Sequence, residues 1–93
     1  MTSSQDILNA RILIVEDDKV SRELLTRILS STGFKNIHAI PNANHLSKIY
    51  DQVQPDLLIL DLNLPGVNGF QAMQRLREGH TEGFLPVLVI SSD

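Results

Sequence analysis

The 93-residue sequence predicts a single α/β domain with a parallel sheet. Three observations lead there. The runs RILIVE (11–16), LLIL (57–60) and VLVI (87–90) are short and continuously apolar, as in strands buried on both faces. The stretches between them place apolar residues at helical spacing. Each apolar run ends abruptly in acids or hydroxyls. Strand alternating with helix implies right-handed crossovers.

The elements follow in order. MTSSQDILNA, residues 1–10, reads as an N-terminal tail; it lacks a basic start followed by a long apolar stretch, so no secretory signal is visible. The first strand, 11–16, is followed by Asp17 and Asp18, and Asp is a favoured helix N-cap. From Lys19 to about Thr32, Val20, Leu24, Leu25, Ile28 and Leu29 form one apolar stripe, and Gly33 suits the residue just past the helix. Ile37 to Ile40 is a weaker second strand. Asn42 or Asn44 is expected to cap a second helix carrying Leu46, Ile49, Tyr50 and Val53, which Pro55 stops. The third strand, 57–60, runs into Asp61. Asn68 is expected to cap a third helix with Phe70, Met73 and Leu76 inward and Gly79 near its end. Pro86 opens the fourth strand, and Ser91, Ser92 and Asp93 follow it.

Composition narrows the function. A net charge of -3 gives no reason to expect nucleic acid or an anionic membrane as a partner. With no cysteine there is neither disulfide nor thiolate metal site, as suits a reducing cytoplasm. No apolar run approaches the ~20 residues that span a bilayer.

Ligands of open parallel sheets sit beyond the carboxyl ends of the strands. Here those ends hold Glu16, Asp17 and Asp18 after the first strand, Asp61 after the third, and Ser91 and Ser92 after the fourth. If the first and third strands are neighbours, several carboxylates crowd together. Crowded carboxylates repel, and a hard divalent cation such as Mg²⁺ compensates them. Asp61 is then a ligand, a nucleophile that forms an acyl phosphate, or both. Its plainer reading is a cap on the loop after the strand, and for Glu16 and Asp17 that of acids favoured at a helix start.

From Arg11 to Asp93 the sequence resembles a response-regulator receiver domain of two-component signalling. The resemblance rests on ILIVEDD, on LILDLNLPGVNGF around Asp61, and on PVLVISS, in that order and spacing. It implies a flavodoxin-like doubly wound sheet with strand order 2-1-3-4 and a phosphoryl group accepted on Asp61 from a histidine kinase or phosphotransfer protein. It further implies Mg²⁺ held by Asp17, Asp61 and the backbone carbonyl of Asn63, with Glu16 assisting through water. Ser91 takes the position whose hydroxyl bonds the phosphoryl group, and Ser92 the small-residue position that leaves the aspartate accessible. Asp18 is expected to cap the helix rather than bind metal. The domain assists its own phosphorylation and is not otherwise an enzyme; cytoplasmic localisation is expected.

The resemblance also implies a fifth β/α unit, which is missing here, so residues 11–93 read as a receiver domain truncated after the fourth strand. With that unit goes the lysine that pairs with the phosphoryl group; Lys19, Lys35 and Lys48 all come earlier. A unit charge at ~4 Å is worth ~4 kcal/mol at an effective dielectric near 20, so its loss should severely impair transfer while leaving metal binding possible. Two further expectations follow. One is a non-catalytic binding or dimerisation module of the same fold. The other is self-association through the fourth strand, an uncharged apolar edge. An aspartate-nucleophile phosphatase fits less well, because Asn63 stands where such enzymes carry a second acid.

Overall fold

A computed structural model of the chain describes residues 4–61, 71, 74, 78 and 86–90. In order, the described elements are α1 (Ser4–Leu8), β1 (Arg11–Val15), α2 (Lys19–Thr32), β2 (Asn36–Ile40), α3 (Leu46–Val53), β3 (Leu57–Asp61) and β4 (Val87–Ile90). The strands form one parallel sheet in the expected order, β2-β1-β3-β4.

Alternation of side chains along β1 and β3 divides the core into two layers. Leu13, Val15, Leu58 and Leu60 face one side, where α3 supplies Leu46, Ile49 and Tyr50. Ile12, Ile14 and Ile59 face the other, where α2 supplies Leu25 and Leu29, joined by Phe34 and Ile37. Helices on opposite faces make the sheet doubly wound and explain why its central strands are apolar at every position. β2, at the sheet edge, keeps only Ile37 and Ile40 half-buried, which is why its apolar signal is weak.

α2 begins and ends as its sequence indicates. Asp18 is the N-cap, its carboxylate accepting from the Ser21 amide at 2.9 Å and the Ser21 hydroxyl at 2.7 Å. Gly33, at φ 118°, holds the left-handed position past the last turn. Gly33 N donates to Ser30 O and Phe34 N to Leu29 O, both at 3.1 Å, the paired bonds of a Schellman ending. The single stripe expected along this helix is not what forms. Leu25 and Leu29 pack on the sheet, whereas Val20, Leu24 and Ile28 are 71%, 55% and 53% exposed. The five positions spread over about 180° of the helix circumference, more than one contact with a flat sheet can cover.

α3 also differs at its start. Neither Asn42 nor Asn44 caps it; His45 holds the N-cap position without a side-chain bond. The Asn42 carboxamide instead accepts from the Asn44 amide at 3.0 Å, a local turn one step upstream that competes with capping. Pro55 ends the helix as expected: it bars helical geometry at Gln54, which turns left-handed at φ 50°.

The N-terminal stretch contributes more than a tail. Leu8 carbonyl accepts from Lys35 N at 3.3 Å and Asn9 carbonyl from the Asn36 carboxamide at 2.9 Å, so α1 is docked on the turn between α2 and β2. Its five residues are too short for periodicity to reveal. Gln71, Gln74 and Glu78 are helical and exposed. The expected cap Asn68, the inward positions Phe70, Met73 and Leu76, and Gly79 lie outside the described residues, as do Asn63, Ser91, Ser92 and Asp93. Among the described residues no helix is long and apolar enough to cross a membrane.

Candidate functional site

Strand register builds the site. β1 pairs with β3 from Ile12 opposite Leu57 to Val15 opposite Leu60. One step further, the same register sets Glu16 beside Asp61. Asp61 pairs in turn with Ile90 of β4, the residue bonded to Ser91. The start of the pairing is fixed by Asp56, whose amide donates to Arg11 O at 2.7 Å and whose carboxylate accepts from Arg11 N at 2.9 Å.

Glu16, Asp17 and Asp61 converge so that one ligand oxygen from each lies within 4.8 Å of the others. Glu16 and Asp61 are buried, at 1% and 0% exposure, and Asp17 is exposed. The loop holding them is tightly bonded. Glu16 N donates to Ile40 O at 3.1 Å, and the Glu16 carboxylate accepts from Asp18 N at 3.1 Å. Arg22 Nη1 reaches back to donate to Glu16 O at 2.9 Å and Asp17 O at 3.4 Å.

Electrostatics separate these acids. Burial pushes the Glu16 carboxyl up, the Asp18 amide pulls it back, and the charge and hydrogen bond of Asp61 and the charge of Asp17 add to the rise. Asp18 is held below the usual carboxylate range by the Ser21 hydroxyl and then the Ser21 amide, with a smaller contribution from Arg22. Asp18 is therefore committed to the helix, as its place in the sequence implies. The carboxylates that remain for a cation are Glu16, Asp17 and Asp61.

The donor set fits a hard cation. It consists of oxygens from three carboxylates, with no sulfur or imidazole among them. Three carboxylates this close repel one another, and a cation between them would offset that repulsion. Mg²⁺ matches such donors better than Zn²⁺. The expected carbonyl ligand, Asn63, and the expected phosphoryl contacts, Ser91 and Ser92, fall outside the described residues. Sequence reasoning did not single out Arg22. A signal was there: a cation in the first turn of a helix is disfavoured by the helix dipole unless something local holds it.

The sheet is parallel and doubly wound, and its acids gather at the carboxyl end between β1 and β3, where the strand order reverses and where ligands of such sheets bind. The family model of the response regulator receiver domain matches residues 12–93, and the chain belongs to that family. Receiver domains are signalling domains of two-component systems. The chain is 37% identical over 82 residues to the DNA-binding dual master transcriptional regulator RpaA of Synechocystis, covering 88% of this chain and 34% of that protein. It is 32% identical over 83 residues to Protein PilH of Pseudomonas aeruginosa, covering 89% of this chain and 68% of that protein. It thus spans about a third of one relative and two thirds of the other. Among solved structures, the MaeR response regulator bound to beryllium trifluoride superposes with a TM-score of 0.78 at 27% identity, covering 90% of this chain and 68% of that one.

Proposed function

We propose that this chain accepts a phosphoryl group on Asp61, from a histidine kinase or phosphotransfer protein, in the presence of Mg²⁺. The observation that carries the reading is the convergence of Glu16, Asp17 and Asp61 at two adjacent strand ends. An Asp61 oxygen attacks phosphorus, the bond from phosphorus to the donor nitrogen breaks, and that nitrogen leaves with the electron pair and takes up a proton. The product is an acyl phosphate on Asp61. Mg²⁺, when bound, neutralises charge on the transferred oxygens. Asp17 and Asp61 are the direct ligands, with the Asn63 carbonyl, and Glu16 assists through water. Ser91 donates to the phosphoryl group, and Ser92 keeps the aspartate accessible. Family membership supports this assignment, as do Asp61's pairing with Ile90, next to Ser91, and the beryllium trifluoride bound by the related MaeR.

Asp61→Asn tests it. Treated with acetyl phosphate and Mg²⁺, a protein that carries this sequence together with the fifth β/α unit should acquire one hydroxylamine-labile phosphate, and its Asp61→Asn variant none; a variant labelled as fully as the unsubstituted protein refutes the assignment. Asp17→Ala should abolish Mg²⁺-dependent amide shifts at Asp61. Metal binding without phosphate from any donor would favour the non-catalytic module instead.

A further inference from the structure

We infer that Arg22 is the positioning residue of the Mg²⁺ site: its guanidinium holds the peptide groups on either side of Asp17 and so sets where the Asp17 carboxylate points. This rests on the metal assignment proposed above. Arg22 stands in the first turn of α2, its amide bonded to Asp18 O at 2.9 Å. Helical side chains point toward the helix N-terminus, which carries the guanidinium back over the loop. There Nη1 donates to Glu16 O at 2.9 Å and, more weakly, to Asp17 O at 3.4 Å. The first carbonyl precedes Asp17 and the second is its own. One half-buried side chain therefore restrains the backbone on both sides of the exposed ligand.

The location is otherwise unfavourable for a cation. The N-terminal end of a helix dipole repels positive charge, and a cation beside a metal site opposes the metal. Arg is nonetheless suited to it, because the planar guanidinium fixes the two N–H groups of Nη1 toward the two carbonyls, which a freely rotating Lys ammonium on a flexible stem does less well. Residues that orient metal ligands typically contribute about 10–100-fold to metal affinity.

The two effects of removing Arg22 have opposite signs, which makes the experiment decisive. If Arg22 acts only through its charge, Arg22→Met strengthens Mg²⁺ binding. If it positions Asp17, the same variant weakens binding about ten-fold or more. Mg²⁺ titrations of the full chain, followed by amide chemical shifts, should show that weakening for Arg22→Met and a partial recovery for Arg22→Lys. Without metal, the Asp18 amide should exchange faster in Arg22→Met while the β1 and β3 amides stay protected. Unchanged or tighter Mg²⁺ binding in a folded Arg22→Met, or in Arg22→Lys should Met not fold, overturns the inference. That result leaves the metal site standing if the wild type binds and Asp17→Ala does not. A wild type that fails to bind Mg²⁺ overturns both.

Discussion

Glu16 and Asp61, at the carboxyl ends of the neighbouring strands β1 and β3, are both buried, and an oxygen of each lies within 4.8 Å of the other. The Asp61 charge so close by adds to the burial that raises the proton affinity of Glu16.

The first prediction follows from the sign of that shift. The folded Glu16 has a raised proton affinity, driven by burial first. Its contribution is most favourable below the ordinary Glu value of ~4.3 and is lost as pH rises through the raised folded value. Asp18 behaves oppositely: its contribution is present above the ordinary Asp value and lost as pH falls through its lowered one. Glu16→Gln keeps an oxygen for the Asp18 amide and offers N–H to Asp61. In chelator it should unfold at a higher temperature than the wild type at pH 8, with the gap closing near pH 4.5. Excess Mg²⁺ should reverse the order, because ligand bound to the native state stabilises the wild type more. A variant less stable than the wild type in chelator at pH 8 contradicts this account.

The second prediction concerns register. Asp56 bonds the Arg11 amide at 2.9 Å, while its ion pair with the Arg11 side chain is long, at 4.0 Å, and exposed. The backbone bond should dominate, since exposed ion pairs contribute little. Asp56→Ala should cost ~1 kcal/mol in urea unfolding and Asp56→Asn much less, with neither loss changing in high salt. A salt-sensitive loss would point to the ion pair instead.

The third prediction uses the two classes of leucine. Leu13 is fully buried and Leu24 is 55% exposed. Leu13→Ala should cost ~2–5 kcal/mol, and Leu24→Ala under ~1 kcal/mol. Equal losses would mean that Leu24 is covered in solution by something the fold of these residues does not supply.

Much of this architecture was legible in the sequence because its strongest signals are local and redundant. RILIVE, LLIL and VLVI mark strands with two covered faces, and EDD and Asp61 mark strand ends. Sheet order follows from the family resemblance, and once β1 lies beside β3 the register brings Glu16 to Asp61. What failed depends on geometry that no short window contains. Periodicity shows that Val20, Leu24 and Ile28 are apolar, but not how far around α2 the sheet reaches. Asn42 is a plausible cap until its carboxamide is spent on the preceding turn. Arg22 looks like a surface cation until its guanidinium meets the Glu16 carbonyl.

The fourth prediction tests how α1 is held. Gly33 has φ 118°, and a Cβ there would lie 3.1 Å from Leu8 Cδ1. Gly33→Ala therefore meets two costs, a left-handed backbone unfavourable to any L side chain and a contact that the tip of Leu8 must yield. Together they should destabilise the chain by ~1–3 kcal/mol. Leu8→Ala opens the space and separates the two. If crowding dominates, Gly33→Ala should cost much less in the Leu8→Ala background than alone. If backbone strain dominates, the cost should be the same in both. Gln54 supplies the control, since it is also left-handed, at φ 50°. Gln54→Gly should be neutral or slightly stabilising, because relief of strain offsets the added freedom of the unfolded chain. A Gly33→Ala variant as stable as the wild type by urea unfolding would mean that the turn after α2 relaxes freely and that α1 is not docked through it.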